Sequence, residues 1–142
     1  MMDMLRRNTD YALRAMLNLT RHWQHDTVST RNISNEEDIS YQLACKLMQT
    51  LRNADLVVSS MGPKGGFSLS REPSEITIRQ IIEAIQGAIY LNKCMSDDYD
   101  CQRQSACVIR RSLIGLQDYV DDYFSRTSLA DLLKAWKGNY PN

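Results

Sequence analysis

Three of the four cysteines lie within fourteen residues, in the run Cys94-Met95-Ser96-Asp97-Asp98-Tyr99-Asp100-Cys101-Gln102-Arg103-Gln104-Ser105-Ala106-Cys107. In a reducing compartment, thiols clustered this way bind metal or do redox chemistry more often than they form structural disulfides. The spacing is C-x6-C-x5-C, without the short C-x2–4-C knuckle usual in structural zinc sites. Three local cysteines are also an odd number for pairing. Iron–sulfur clusters take four ligands, mostly Cys thiolates. This loop offers three, so a fourth must come from Cys45, His22, His25, Asp10 or a loop acid such as Asp97, Asp98 or Asp100. A non-thiolate ligand would raise the potential and make one corner of the cluster labile, which suits a sensor better than an electron carrier. On spacing alone, an iron–sulfur cluster, zinc, a thiol switch and ordinary loop cysteines all stay open.

A second chemistry lies upstream. Ser40 is a natural helix cap, and the helix it opens runs to about Asn53. Wound at 100° per residue, it puts Leu43, Ala44, Leu47, Met48 and Leu51 on one side. Gln42, Cys45, Lys46, Gln49 and Asn53 fall on the other. The segment 40–52 holds Lys46 and Arg52 and no acids. Amide side chains can read adenine edges, and lysine can reach guanine or phosphate. A short helix, Thr30 to Asp38 with Ile33 as its apolar anchor, precedes the turn Ile39-Ser40. Two helices around a tight turn, the second with a polar amide-rich front, form a helix-turn-helix pattern. The bland alternative for that front is a solvated helix face.

The remaining elements must position these two sets. Helix one is expected to be capped by Asn8 or Thr9, with Tyr11, Ala12, Ala15, Met16, Leu19 and Trp23 at helical spacing. Asp10 in its first turn suits the positive end of the helix dipole, unless a metal is nearby. Leu56 to Ser60, the Gly/Pro turn of residues 61–66, and Phe67 to Ser70 predict a hairpin, hence a wing with Lys64 at its tip. Pro73-Ser74 is expected to cap a helix with Ile76, Ile78, Ile81, Ile82 and Ile85, stopped by Gly87. After Cys107, Ile109, Leu113, Leu116, Val120 and Tyr123 form a heptad seam on a helix to about Phe124. A second copy of the same helix is the usual partner for such a seam, with docking in cis as the alternative. Thr127-Ser128 caps a last short helix to Trp136, and 137–142 is expected to fray.

Composition bounds the class. One hundred and forty-two residues with 43% hydrophobic content suffice for one core. Seventeen basic and seventeen acidic residues cancel, which argues against a protein that grips nucleic acid by bulk charge but allows a dimeric reader with a local positive face. No run approaches the ~18 apolar residues that span a bilayer, and the start lacks a secretory pattern. The expected location is the cytoplasm, without a membrane partner. The two histidines lie in a polar connection with no nucleophile–base constellation, so no enzyme is expected.

Several motifs carry a family resemblance. Asn8-Thr9-Asp10-Tyr11-Ala12-Leu13-Arg14, Ile39-Ser40, residues 51–57 (LRNADLV) and residues 62–69 (GPKGGFSL) resemble the IscR/NsrR-type winged-helix regulators, the Rrf family. So do residues 75–78 (EITI), 81–87 (IIEAIQG) and 127–132 (TSLADL). The likeness covers nearly the whole chain, in order. It implies a dimeric bacterial transcription regulator with an iron–sulfur cluster, two-iron or four-iron, held by Cys94, Cys101 and Cys107. Departures sharpen the comparison. The first spacing is one residue longer than the usual C-x5-C-x5-C. Arg110 stands where IscR-like members place a histidine ligand. NsrR-like members use an aspartate of the first helix, contributed by the other subunit, and Asp10 stands at that place. The run 107–113 also resembles the nitric-oxide-responsive branch. Met61 stands where many members place a wing arginine, leaving Lys64 as the nearby substitute.

The expectation is therefore a mainly α protein with a small β wing. A winged helix-turn-helix domain spans 1–87, a cluster-binding loop 88–107, a dimerisation helix 108–126, and a short helix with its tail 127–142. Its function would be transcriptional regulation, as a repressor, with double-stranded operator DNA and a second copy as partners. Affinity would be controlled by the cluster in response to nitric oxide, redox state or iron–sulfur status. Ser40, Tyr41, Gln42, Cys45, Lys46, Gln49 and Lys64 would face DNA; Cys94, Cys101, Cys107 and, in trans, Asp10 would hold the cluster. The alternatives are a cluster-free regulator using a thiol switch or a protein partner, and an electron-transfer or assembly protein on the same fold.

Overall fold

The computed structural model describes residues 3–136 and Gly138; apart from Gly138, the expected fraying tail lies outside them. Among the described residues, six α-helices and a two-stranded antiparallel sheet follow in the order α1 (Arg7–Arg21), α2 (Thr30–Glu37), α3 (Tyr41–Asn53), β1 (Val57–Ser60), β2 (Gly66–Leu69), α4 (Ile78–Gln86), α5 (Val108–Arg126) and α6 (Leu129–Ala135). This is a mainly helical winged-helix architecture. The core gathers Met16 and Leu19 of α1, Ile33 of α2, Met48 and Leu51 of α3, Ile76, Ile81 of α4 and Leu129 of α6, all nearly solvent-free. Burial of such side chains contributes roughly 1.5–3 kcal/mol each.

Helix α1 starts differently from expectation. It begins at Arg7, with Arg6 in the cap position and no side-chain cap from its own sequence. The cap comes from elsewhere: Gln86, at the end of α4, accepts from the Arg6 amide (2.9 Å) and from the Thr9 hydroxyl (2.6 Å), and donates to the Met4 carbonyl (3.0 Å). Thr9 is fully buried against this amide. Trp23 lies beyond the last helical residue, half-buried.

The turn between α2 and α3 is short because Asp38 takes the left-handed conformation (φ 52°), which aspartate tolerates better than most residues. Ile39 follows, buried, with its amide bonded to the Ser34 carbonyl. Ser40 then caps α3 by accepting from the Leu43 amide at 3.3 Å.

The hairpin pairs Val57 with Leu69, Val58 with Ser68, Ser59 with Phe67 and Ser60 with Gly66. Val28 bridges Phe67, so the chain just before α2 lies along the outer edge of the wing.

The helix after the wing starts later than Pro73-Ser74 suggests. Residues Pro73–Glu75 make one 3-10 turn, and Thr77 caps α4 in a reciprocal box with Gln80. The reason is tertiary. Thr77 pairs as an isolated bridge with Ser128, with Ile78 N–H on the Thr127 carbonyl and Leu129 N–H on the Ile76 carbonyl, both 2.9 Å. That pairing needs extended backbone at 76–77 and delays the helix. Gly87 (φ 83°) ends α4 as expected. Ser128 caps α6 through a second box with Asp131, whose carboxyl is held below its ordinary range by the Ser128 amide and hydroxyl.

The long helix α5 docks on α4 by a face that its apolar spacing does not announce. Its one buried residue is Gln117. That amide accepts from Leu91 N–H (2.9 Å) and donates to the Ile89 carbonyl (2.9 Å) and to Asp121 (3.1 Å), stapling the link 88–91 to the helix. Much of the expected seam is solvent-facing: Ile109, Leu116 and Tyr123 are at least half exposed, as is Tyr119 beside them.

Candidate functional site

The DNA-facing candidates sit where α3 meets solvent. Ala44, Leu47, Met48 and Leu51 point into the core, which turns the opposite face outward. Gln42, Lys46 and Gln49 are exposed and Cys45 is half-buried. Ser40 is exposed, with its hydroxyl oxygen engaged at the α3 cap. Tyr41 is exposed and lies beneath the guanidinium of Arg31, 4.1 Å from its ring centroid. Sequence reading passed over Arg31. Its signal was that it is the one basic residue of α2. Lys64 is exposed on the wing, and its carbonyl accepts from the Thr27 hydroxyl at 2.6 Å, which ties the wing tip to the approach of α2.

What fixes α2 against α1 is a partly buried ion network. Glu37, buried at the end of α2, accepts from Arg21 (2.8 Å) and from Asn18 (2.9 Å), and its backbone carbonyl accepts from Arg14. Asn18 also donates to Glu36 at 2.7 Å. The Arg21 guanidinium lies 4.7 Å from the Trp136 ring, so α1, α2 and the end of α6 meet at one cation.

At the cysteine loop, Cys101 and Cys107 line one open cavity of about 380 Å³ together with Gln102, Gln104, Arg110 and Arg111. Cys107 is the cap residue of α5, and its sulfur accepts from the Arg110 amide at 3.5 Å. The Arg110 Nε donates to the Cys94 carbonyl at 3.3 Å, so Arg110 ties the first cysteine to the last. All four cysteines are free thiols, half-buried. Among the described residues no three Cys, His, Asp or Glu side chains of a single chain converge as a metal-binding group. Asp10 is not part of this loop's surroundings: its side chain is 61% exposed and lies 3.7 Å from Arg14 in an i,i+4 pair. Soft thiols on a loop, with an amide donor to one sulfur, suit iron–sulfur ligation in donor chemistry.

A helix-turn-helix with an outward amide-and-lysine face, flanked by a two-stranded wing, defines a winged-helix DNA-binding protein. The family model Rrf2, described as an iron-dependent transcriptional regulator, matches residues 5–135, and the chain belongs to that family of transcriptional regulators. The chain is similar to the HTH-type transcriptional regulator IscR of Vibrio campbellii, 32% identical over 87% of this chain and 73% of the relative. Among solved structures it resembles CymR, the global cysteine regulator of B. subtilis, with TM-score 0.78 and 26% identity over 96% of this chain and all of the other. It also resembles T. potens IscR, with TM-score 0.74 and 25% identity over 95% and 92% of the two chains. The family's DNA-binding role accords with the α3 face and wing. Among the described residues no helix is long and apolar enough to cross a membrane.

Proposed function

We propose that the chain is a cytoplasmic, homodimeric repressor whose operator affinity depends on an iron–sulfur cluster held by Cys94, Cys101 and Cys107, with Asp10 of a second copy as fourth ligand. The supporting observation is the arrangement around Arg110, which joins the Cys94 carbonyl to the Cys107 turn while Cys101 and Cys107 share a cavity. When bound, such a cluster supplies a centre that reacts with nitric oxide, oxygen or iron-withdrawing agents. The chain's own part is to present three thiols on a loop whose two ends are anchored, by Gln117 at residues 89–91 and by α5 at Cys107. Asp10 is itself mostly exposed and lies 3.7 Å from Arg14, so its carboxylate can turn to a second copy at small cost. The uncovered seam of α5 is the surface that pairs the two copies, and along the chain the loop joins the DNA-binding unit to the helix that carries it. Order in the loop then biases the separation of the two α3 helices relative to the operator's half-sites.

Anaerobically prepared protein tests this directly. Iron and sulfide near stoichiometry are expected, with operator affinity that falls after stoichiometric nitric oxide; an affinity that does not change removes the sensing role. Asp10→Ala is expected to alter the cluster's absorption and resonance Raman spectra, and a wild-type spectrum would take Asp10 out of the ligand set.

The DNA contacts carry their own expectation. Gln42→Ala and Gln49→Ala should each weaken operator binding by about 1–3 kcal/mol while hardly affecting random DNA. Lys64→Ala should weaken both alike and lower the slope of log affinity against log salt by about 1. Fluorescence anisotropy on operator and scrambled duplexes over a salt series separates the two behaviours; parallel losses in all three variants would refute base reading by α3.

A second reading is favoured by the cavity shared by Cys101 and Cys107 and by the likeness to CymR of Staphylococcus aureus, whose structure is known in an oxidised form. In it the thiols themselves are the switch and no cluster is needed.

A further inference from the structure

We propose that the cavity at Cys101 and Cys107 is a reaction site for carboxylate-bearing low-molecular-weight disulfides in the metal-free chain. This deepens the second, thiol-based reading and rests on it for its regulatory meaning. The cavity, about 380 Å³, falls within the size range of small-molecule sites. Cys101 and Cys107 line it together with Arg110 and Arg111. Neither guanidinium has a carboxylate partner among the described residues, whereas Arg14, Arg21, Arg79 and Arg126 each have one. Arg110 is also held in place, since its Nε bonds the Cys94 carbonyl and leaves its terminal nitrogens for another acceptor. A planar guanidinium recognises carboxylate by paired hydrogen bonds. A small molecule with carboxylates around a central disulfide therefore matches both halves of the lining.

The step is thiol–disulfide exchange. The sulfur of Cys101 or Cys107 attacks one sulfur of the reagent, a protein–S–S–ligand bond forms, and the reagent's own S–S bond breaks. The departing thiolate carries the electron pair and takes up the proton lost by the attacking thiol. No further oxidant is required. The adduct fills the cavity and removes one thiol from any metal-ligating set. Loop carboxylates oppose the attraction: Asp97, Asp98 and Asp100 are exposed nearby but do not line the cavity. The charge preference therefore reports whether Arg110 and Arg111 outweigh them.

The experiment uses full-length, iron-free protein with oxidised glutathione and, in parallel, cystamine, a disulfide bearing ammonium groups in place of carboxylates. Rates are followed by intact mass, and sites by peptide mapping. Each rate is normalised to that of the urea-unfolded chain, which cancels the reagents' intrinsic reactivity. Oxidised glutathione is expected to react about tenfold faster than cystamine at low salt, at Cys101 or Cys107. Salt should shrink the ratio. Arg111→Gln and Arg110→Gln should each lower it, and because Arg110 also holds Cys94, the wild-type reagent comparison is decisive by itself. Equal or reversed normalised rates, or first modification at Cys45 or Cys94, would overturn the proposal. Selective modification with unchanged operator affinity upholds the reaction site and removes the thiol-switch reading instead.

Discussion

Glu37→Ala is expected to destabilise the protein by about 1.5–3 kcal/mol, the usual worth of a hydrogen bond to a charged group, because Glu37 is buried while its partner Arg21 keeps part of its hydration. The Glu37 side chain is only 6% exposed and is the shared acceptor for Arg21 and Asn18. Removing it takes the nearest acceptor from Arg21 and one of two acceptors from Asn18 at the α1–α2 junction, leaving both to Glu36. The network has little slack, since the Arg21 Nε and the Asn18 carbonyl oxygen are already buried with no hydrogen-bond partner among the described residues. Glu37→Gln keeps the shape and one acceptor oxygen but not the charge, and should fall between wild type and Glu37→Ala. Urea titrations at constant m-value measure the differences. A loss below about 1 kcal/mol for Glu37→Ala would mean that the network behaves as a surface pair. Because the junction sets how α2 leans on α1, Glu37→Gln should also weaken operator binding under conditions where the variant stays folded.

The second large effect is expected at Gly66. A Cβ there would lie 2.5 Å from the Val28 carbonyl oxygen and 2.8 Å from the Ser29 nitrogen. Both obstacles are backbone, and the same backbone makes the Val28–Phe67 bridge, so neither can move without breaking the wing's attachment to α2. Gly66→Ala should therefore cost about 3 kcal/mol, the upper part of the range for overpacking, and weaken DNA binding further by freeing the wing. Gly62→Ala is the natural comparison. Its Cβ would meet nothing within 4 Å, although φ is 101°, so only the conformational cost of about 1–2 kcal/mol applies. Thermal unfolding of the two variants should rank Gly66→Ala as clearly the more damaging; a reversed order would show that the edge bridge yields easily.

Much of the site could be read from the chain because its signals are local. Ser40 as a cap, the outward set Gln42, Lys46 and Gln49, and the Gly/Pro turn of the wing depend on neighbours in sequence, and the fold places them accordingly. Features that depend on distant partners went unseen. Gln86 reads as one more polar residue near a helix end, yet it caps a helix about eighty positions away. Gln117 breaks no rule of periodicity, but it is the residue α5 buries. Arg31 gains its place only because α3 brings the Tyr41 ring beneath it. In the sequence Arg110 marks only the absence of a histidine, whereas the fold gives it bonds at Cys94 and Cys107.

By itself the sequence determined the fold class, the helix-turn-helix and wing, and the identity of the thiols, because hydrophobic period, capping residues and turn glycines act over a few residues. Only the tertiary structure decided where α1 and α4 begin, which face α5 buries and which polar groups meet across the fold. Those outcomes depend on satisfying buried donors and acceptors across the fold. The start of α4 shows the difference most simply. Pro73-Ser74 had the local chemistry to open that helix, but pairing of residues 76–78 with 127–129 held the backbone extended until Thr77 could cap it.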